Sequence, residues 1–194
     1  AMATQGDVER FEPLQRFCSG AVVRGVKEIL GVQFRNMATM GGSVASKFGF
    51  SDIIPALLAV HADIVTYKGG RMSMKDYMNY RERDILVEIR IPKREVPVAV
   101  EALRISRGDF PYLTGSIRRD DTNYEVYIGT RPGAPQLAEK ASALLSEKGL
   151  DAFDEAAQIA SEELVYQKNS HASKEYRIEM AKAMVRRLVK EVAQ

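Results

Sequence analysis

Apolar residues recur at helical spacing in two segments near the start of the chain. Residues 7–17 and 20–30 place apolar side chains three and four positions apart, which predicts two amphipathic helices. Gly31 follows the second segment and is expected to end that helix. A short apolar run at 53–60 predicts a third helix, and Asp52 is its expected N-cap because the proline of the run then falls in the first turn.

The middle of the chain predicts strands and one short helix. Residues 63–67 and 71–74 flank a Lys-Gly-Gly turn, which predicts a β-hairpin, and a brief helix is expected over 74–80. Residues 85–91 alternate between apolar and polar side chains as far as Pro92, so this segment is predicted to be a strand.

The pattern changes after a connection that contains two prolines. Three strands are predicted first and three helices after them, at residues 98–107, 112–119 and 124–129, then 134–147, 151–165 and 173–192. We expect a domain boundary near residues 92–97, which divides the chain into a first domain at 1–95 and a second at 96–194.

Residues 32–51 predict a loop that is rich in Gly, Ser, Thr and Asn yet carries apolar side chains. Such a loop is expected to be buried against something, and a ligand is one candidate. Its central segment, Thr39-Met40-Gly41-Gly42-Ser43, has paired glycines that can adopt positive φ and let backbone N–H groups approach a ligand, with hydroxyls at both ends. Taken alone, a T-x-G-G-S segment is usually just a turn.

Composition and charge exclude several classes of function. The 194 residues are 45% apolar and 28% charged, and the net charge of +2 is too near balance to indicate a nucleic-acid partner. No apolar run has the length needed to cross a bilayer. The single cysteine, Cys18, excludes an intrachain disulfide and a cysteine-ligated iron–sulfur cluster, and the two histidines have no zinc-like spacing. We therefore expect a reducing, cytoplasmic location.

The segment 31–59 carries a resemblance to a known family. It has the form Q-x-R-N-x-A-T-x-G-G followed by Ser43, then an aspartate nine residues later at Asp52, and then the run P-A-L-L-A. This pattern resembles the signature of the FAD-binding (medium) subunits of the molybdenum hydroxylase family, which includes xanthine dehydrogenase and carbon monoxide dehydrogenase flavoproteins. The resemblance continues through the strand at 85–91 and into the last helix, which opens with S-x-x-Y-R at Ser173.

The resemblance implies both a fold and a function. The implied fold is α+β: the C-terminal part of a PCMH-type FAD-binding domain, followed by a small C-terminal domain with a three-stranded antiparallel sheet and helices. The implied function is that of an oxidoreductase subunit that binds FAD and transfers electrons. It would receive them from 2Fe-2S clusters on an iron–sulfur subunit, after oxidation of substrate at a molybdopterin subunit, and would pass them to NAD or another acceptor. No catalytic acid–base pair and no metal ligand is implied on this chain.

The resemblance also implies which residues bind the cofactor, namely Ile29, Thr39, Met40, Gly41, Gly42, Ser43, Asp52, Leu86 and Arg104. Asp52 would contact the polar chain of the flavin, a role compatible with a helix cap. Leu86 would meet the isoalloxazine ring through its backbone, or be a core strand residue. Arg104 stands where the family usually has a lysine near the flavin, although a surface arginine on a strand is the alternative. Ile29 would lie beside the ring, or complete the core of its helix.

The first residues, Ala1 to Thr4, resemble an interior segment of the family, and the family's preceding Gly-rich pyrophosphate loop has no counterpart in this chain. We therefore expect a chain truncated at its N-terminus, with FAD held by the full-length protein and held weakly or not at all by this piece. The alternative function is a truncated fragment that does not hold FAD and acts only as a docking or interaction module.

Overall fold

The computed structural model describes residues 1–193, and its N-terminal part contains six short α-helices. They are α1 (Gln5–Arg10), α2 (Glu12–Arg16), α3 (Ala21–Lys27), α4 (Val32–Met37), α5 (Met40–Ala45) and α6 (Ile53–Ala59). The single helix predicted over 7–17 is divided into α1 and α2. Pro13 lies in the first turn of α2, where it has no N–H to donate back into α1 and its ring would clash with the preceding turn.

The helix predicted over 20–30 ends earlier than expected. Its last residue is Lys27, and Leu30 adopts the left-handed conformation with φ of 39°. The prediction that Gly31 ends this helix is wrong, because Gly31 has an extended backbone and is the residue from which α4 begins. The residue with the left-handed backbone after this helix is thus Leu30 rather than the glycine.

The loop predicted over 32–51 is also only partly present, because this segment contains α4 and α5. Arg35 of α4 is 7% exposed. Its guanidinium donates to the Glu9 carboxylate at 2.8 Å and to the carbonyl oxygens of Ile29 and Leu30 at 2.9 Å. Helices this short are not stable alone, so these tertiary contacts stabilise a helix that the local composition does not favour.

A three-stranded antiparallel sheet follows, with strand order β2-β1-β3. Its strands are β1 (Asp63–Thr66), β2 (Gly70–Ser73) and β3 (Leu86–Arg90), and the short helix α7 (Met74–Asn79) connects β2 to β3. The predicted hairpin, the brief helix and the strand before Pro92 are therefore confirmed.

The C-terminal part has a four-stranded antiparallel sheet of order β4-β5-β6-β7 and three helices. The elements are β4 (Val98–Leu103), β5 (Leu113–Asp120), β6 (Asn123–Gly129), β7 (Gln136–Leu137), α8 (Glu139–Lys148), α9 (Phe153–Glu163) and α10 (Lys174–Val192). The three predicted strands and three predicted helices are present, but the helix predicted over 134–147 begins only at Glu139. Two residues of its predicted start form the fourth strand β7 instead, so the sheet has four strands rather than the expected three. Two residues are too few to show an alternating pattern. The chain is thus of the α+β class.

Successive residues of β5 point to opposite faces of this second sheet, and a helix packs against each face. Ser116 donates its hydroxyl proton to the carbonyl oxygen of Pro55 in α6 at 2.8 Å. On the other face, a Cβ atom added to Gly115 would lie 2.6 Å from Cε of Met184 in α10. This arrangement brings Asp52, just before α6, close to the end of β4.

Helix α10 is anchored near its N-terminus by a buried arginine. The side chain of Arg177 is fully buried and donates hydrogen bonds to the carbonyl oxygens of Tyr112, Gln167 and Ala172 and to Oδ1 of Asn169. These bonds join α10 to the strand β5 and to the loop that precedes the helix. Within residues 1–193, no helix combines the length and the hydropathy that crossing a bilayer requires.

Candidate functional site

A cavity of about 420 Å³ lies beside α4, α5 and the start of α6. Its volume is in the usual range for small-molecule sites. Apolar side chains in its lining include Ile29, Leu30, Phe34, Phe48, Phe50 and Phe110. Polar side chains in its lining are those of Gln5, Thr39, Ser43, Ser46, Ser51 and Asp52. The cavity can therefore accept a ligand that has both a flat apolar part and a part rich in hydrogen-bonding groups.

Thr39 and the two glycines lie in a capped helix rather than in the predicted loop. Thr39 is the N-cap of α5, and its Oγ1 accepts the N–H of Gly42 at 3.1 Å. Gly41 and Gly42 both have helical backbones, so the expectation that they use positive φ is wrong. The physical reason is that a capped turn satisfies backbone donors that an open loop would leave free.

Neighbouring main-chain donors of α5 are bonded inside the chain as well. The N–H of Met40 donates to the carbonyl oxygen of Ala3 at 2.9 Å, and that of Gly41 to Ala1 at 2.8 Å. Ser43 donates its N–H to the carbonyl oxygen of Thr39 at 3.1 Å. What this segment offers to a ligand is therefore side-chain chemistry and space, not free backbone N–H groups.

The two glycines differ in what surrounds them. A Cβ atom added to Gly41 would lie 2.7 Å from Cβ and 2.9 Å from the carbonyl oxygen of Ala1, so Gly41 is needed for the packing of the first residues. A Cβ atom added to Gly42 would meet only Oγ1 of Thr39, at 3.1 Å. Because Gly42 and Thr39 both line the cavity, a larger side chain at Gly42 would extend into it.

Three polar residues, Gln5, Thr39 and Ser43, form a hydrogen-bonded group that we call the polar corner of the cavity. The Ser43 hydroxyl donates to the carbonyl oxygen of Thr39 at 3.0 Å. The same hydroxyl accepts a hydrogen bond from Nε2 of Gln5 at 2.9 Å. Gln5 is only 2% exposed, since it lies in the first turn of α1 and packs beneath α5.

Asp52 precedes α6, but its carboxylate does not cap that helix. Asp52 occupies the N-cap position of α6, as predicted, but the N–H of Ile54 donates to Oγ of Ser51 at 3.2 Å, so Ser51 makes the cap hydrogen bond. The carboxylate accepts a hydrogen bond from Nη2 of Arg104 at 2.5 Å, a stronger charge-assisted partner than a backbone N–H. Burial raises the pKa of Asp52, and the nearby Arg104 guanidinium opposes that rise.

Arg104 is a largely buried partner of Asp52 and not the surface arginine that was the alternative. The two side chains are 9% and 11% exposed. Nε of Arg104 also donates to the carbonyl oxygen of Asp109 at 3.0 Å. Arg104 does not belong to the lining of the cavity, so its charge acts there through the Asp52 carboxylate.

The structure brings some of the sequence-predicted site residues together and places others elsewhere. Those that line the cavity are Ile29, Thr39, Gly42, Ser43 and Asp52. Met40, Gly41 and Leu86 are buried residues outside its lining, with Met40 and Leu86 in the hydrophobic core. Gln5 and Phe110 were not predicted, because they lie outside the segment 31–59. Phe48 and Phe50 were not predicted either, because they stand between Ser43 and Asp52, where the family pattern specifies no residue.

Phe48, Phe50 and Phe110 form an aromatic cluster in the lining of the cavity. The rings of Phe48 and Phe50 stack with centroids 4.9 Å apart, and the rings of Phe50 and Phe110 lie 4.7 Å apart at a tilt. Phe48 is 54% exposed and Phe110 is 55% exposed. The cluster therefore presents aromatic surface to which a flat ring can add by stacking.

The loop that carries Phe48 and Phe50 is fixed by contacts on two sides. Nζ of Lys47 donates to the carbonyl oxygen of Tyr80 at 2.5 Å and lies 4.1 Å from the ring centroid of Tyr77. Burial lowers the pKa of Lys47. The Thr130 hydroxyl donates to the carbonyl oxygen of Gly49 at 3.0 Å. These contacts position the loop that carries Phe48 and Phe50.

Comparison with known families assigns this chain to a class of proteins. Residues 1–94 match the family model of the FAD binding domain in molybdopterin dehydrogenase. Residues 99–192 match that of the CO dehydrogenase flavoprotein C-terminal domain. Together the two models cover nearly the whole sequence, and the chain belongs to the flavoprotein subunits of the molybdenum hydroxylase family.

Individual relatives are more distant. The chain is 27% identical to the protein YgfM of Escherichia coli (strain K12) over 138 residues, which are 70% of this chain and 51% of that protein. The chain thus spans about half the length of this curated relative.

Solved structures share the fold. Quinoline 2-oxidoreductase from Pseudomonas putida 86 superposes with a TM-score of 0.86 at 19% identity, over 100% of this chain and 73% of that one. CO dehydrogenase from Hydrogenophaga pseudoflava superposes with a TM-score of 0.88 at 22% identity, over 99% and 73% of the two chains. At these identities the likeness shows a common fold.

Proposed function

We propose that this chain is the FAD-binding, electron-transfer subunit of a molybdopterin-dependent hydroxylase or dehydrogenase. One observation carries the proposal: the cavity beside the T-x-G-G-S segment combines an aromatic cluster with a polar corner and the Asp52 carboxylate. The family to which residues 1–94 belong is defined by FAD binding.

The lining fits the chemistry of a flavin. FAD joins a planar aromatic ring system to a chain that carries hydroxyl groups, and the cavity has groups suited to each part. Ile29 and the aromatic cluster can pack against a ring, whereas Thr39, Ser43 and Asp52 can form hydrogen bonds with hydroxyl groups. The helical Gly42 leaves the space between these two sets of residues free of a side chain.

Three residues at or near the cavity would have roles that follow from their contacts. A bound flavin supplies electron transfer in steps of one or two electrons, and the protein supplies binding, orientation and electrostatics. Asp52 would accept hydrogen bonds from the ligand with the oxygen atoms that Arg104 leaves free, and Arg104 would hold that carboxylate in place and ionised. Leu86, in β3, would support the site through the core on which the cavity rests.

The proposal extends to partners and organisation. Electrons would reach this subunit from 2Fe-2S clusters on an iron–sulfur subunit, which receives them from a molybdopterin subunit, and would leave to NAD or another acceptor. The complex would be cytoplasmic. The chain would comprise two domains, 1–95 and 96–194, in agreement with the residues that the two family models match.

The test is a flavin titration on the 194-residue chain and on the longest natural protein that contains it, monitored by flavin fluorescence. We expect Gly42→Leu to abolish FAD binding while the protein stays folded, because the added side chain fills the cavity. The matched control is Ala45→Leu, an exposed position of the same helix outside the cavity lining, which should bind FAD as the wild type does.

Two outcomes would contradict the proposal. FAD binding that persists in a folded Gly42→Leu protein would show that the flavin does not use this cavity. A wild-type protein that binds no flavin in either form would favour the alternative of a docking module without a cofactor.

A further inference from the structure

Gln5 has an unsatisfied polar atom at the cavity. The residue lines the cavity and is 2% exposed. Among the described residues, its Oε1 is a buried side-chain oxygen with no hydrogen-bond partner. Buried polar atoms are almost always hydrogen-bonded in folded proteins, because an unpaired acceptor loses its bond to water and gains none. An exception at a ligand cavity therefore points to a missing donor.

The neighbouring hydrogen bonds determine which way the Gln5 amide faces. The Ser43 hydroxyl has one proton, and that proton is donated to the carbonyl oxygen of Thr39 at 3.0 Å. Towards Gln5 the hydroxyl can therefore act only as an acceptor, so Nε2 is the amide atom that faces it, at 2.9 Å. Rotating the amide by half a turn would bring two acceptors together unless the Ser43 proton left the carbonyl oxygen of Thr39. The free atom is thus the oxygen.

We propose that Gln5 is a cofactor-binding residue whose Oε1 accepts a hydrogen bond from a sugar-type hydroxyl of the bound dinucleotide. This inference rests on the proposed function and specifies which chemical part of FAD the polar corner holds. An amide oxygen attracts a hydroxyl proton and repels the oxygens of a phosphate. The N–H groups of Met40, Gly41 and Gly42 are already bonded within the chain, so this corner also lacks the backbone donors that a phosphate needs.

The hydroxyl can belong to the ribityl chain or to the ribose, and pairs of ligands distinguish the two. Riboflavin is compared with lumiflavin, which has the same ring but no ribityl hydroxyls, and adenosine is compared with adenine. The variant is Gln5→Met, which has similar length and no hydrogen-bonding amide. Its matched control is Gln33→Met, at an exposed glutamine outside the cavity lining.

We expect Gln5→Met to weaken binding of one hydroxyl-bearing ligand by about three- to tenfold, the effect of one lost hydrogen bond, and to leave its hydroxyl-free counterpart unchanged. A loss for riboflavin alone assigns the ribityl chain, and a loss for adenosine alone assigns the ribose. The melting temperature of the ligand-free Gln5→Met protein should change little, because the substitution loses the Nε2 bond to Ser43 but also removes an unpaired buried oxygen. If Gln5→Met does not fold, Gln5→Asn shortens the side chain and tests the same contact.

Equal weakening of both members of each pair, or no weakening of any ligand, would overturn the role of Gln5. If the wild-type protein binds FAD, such results leave the proposed function intact. A wild-type protein that binds no FAD overturns both together.

Discussion

Replacing Arg104 by methionine would leave the Asp52 carboxylate buried without the cation that faces it. The two side chains are 9% and 11% exposed, and their nearest atoms are 2.5 Å apart. Methionine preserves much of the volume of the arginine stem, so the substitution removes the charge and the hydrogen bonds while leaving the packing largely intact.

The hydrogen bonds of Arg104 give the expected size of the effect. The bond to Asp52 is charge-assisted and contributes about 1.5–3 kcal/mol, and the bond from Nε to the carbonyl oxygen of Asp109 contributes about 1 kcal/mol. The longer contact to the carbonyl oxygen of Ala102, at 3.4 Å, adds less. With the carboxylate left unpaired, we expect Arg104→Met to lower the free energy of unfolding by about 3–5 kcal/mol.

The assay is urea unfolding of four proteins: the wild type, Arg104→Met, Asp52→Asn and the double variant. In the Asp52→Asn background, the Arg104 substitution should cost about 1.5–3 kcal/mol less, because no buried charge is left unpaired. Arg107→Met, at an exposed arginine of the same segment, is the control and should change stability by less than about 0.5 kcal/mol.

The coupling between the two residues should depend on pH. Burial raises the pKa of Asp52, and removing Arg104, which opposes that rise, should raise it further. A raised pKa means that ionisation weakens the folded state as the pH rises through that pKa. The cost of Arg104→Met should therefore be greatest at about pH 7 and decrease at lower pH, as Asp52 takes up a proton. A cost below about 1 kcal/mol, or a coupling that does not change with pH, would refute this account of the pair.

Three further predictions concern other parts of the molecule. Arg177→Met should lower the free energy of unfolding, measured in urea, by about 3–5 kcal/mol, because four oxygen acceptors, two of them in buried hydrogen bonds, lose their donor. A loss within the range of surface substitutions would contradict the anchoring role. Ser51→Ala should cost about 1 kcal/mol in thermal unfolding through loss of the cap on α6, and no change would mean that this bond does not stabilise the helix. Burial raises the pKa of the Cys18 thiol, which is 1% exposed, so the folded protein should not react with a thiol reagent until it is unfolded; rapid reaction of the native protein would count against this packing.

The elements that the sequence predicted correctly are those in which a local pattern is long or sharply ended. The hairpin around Lys68-Gly69-Gly70, the strand that ends before Pro92 and the 19-residue helix α10 are of this kind. The segment 32–51 failed because its glycines and small polar residues favour a loop. Contacts such as that between Arg35 and Glu9 make it partly helical, and no window of local sequence contains both partners.

The candidate site divides in the same way. The sequence by itself determined the family, the T-x-G-G-S segment and Asp52, because these lie within one continuous stretch at fixed spacing. Only the tertiary structure decided that the Asp52 carboxylate is bonded to Arg104, that the glycines are helical and that Gln5 of the cavity lining has a buried oxygen without a partner. Each of these depends on atoms brought together from distant segments by packing, and a hydrogen-bond partner is fixed by distance in space rather than by separation along the chain.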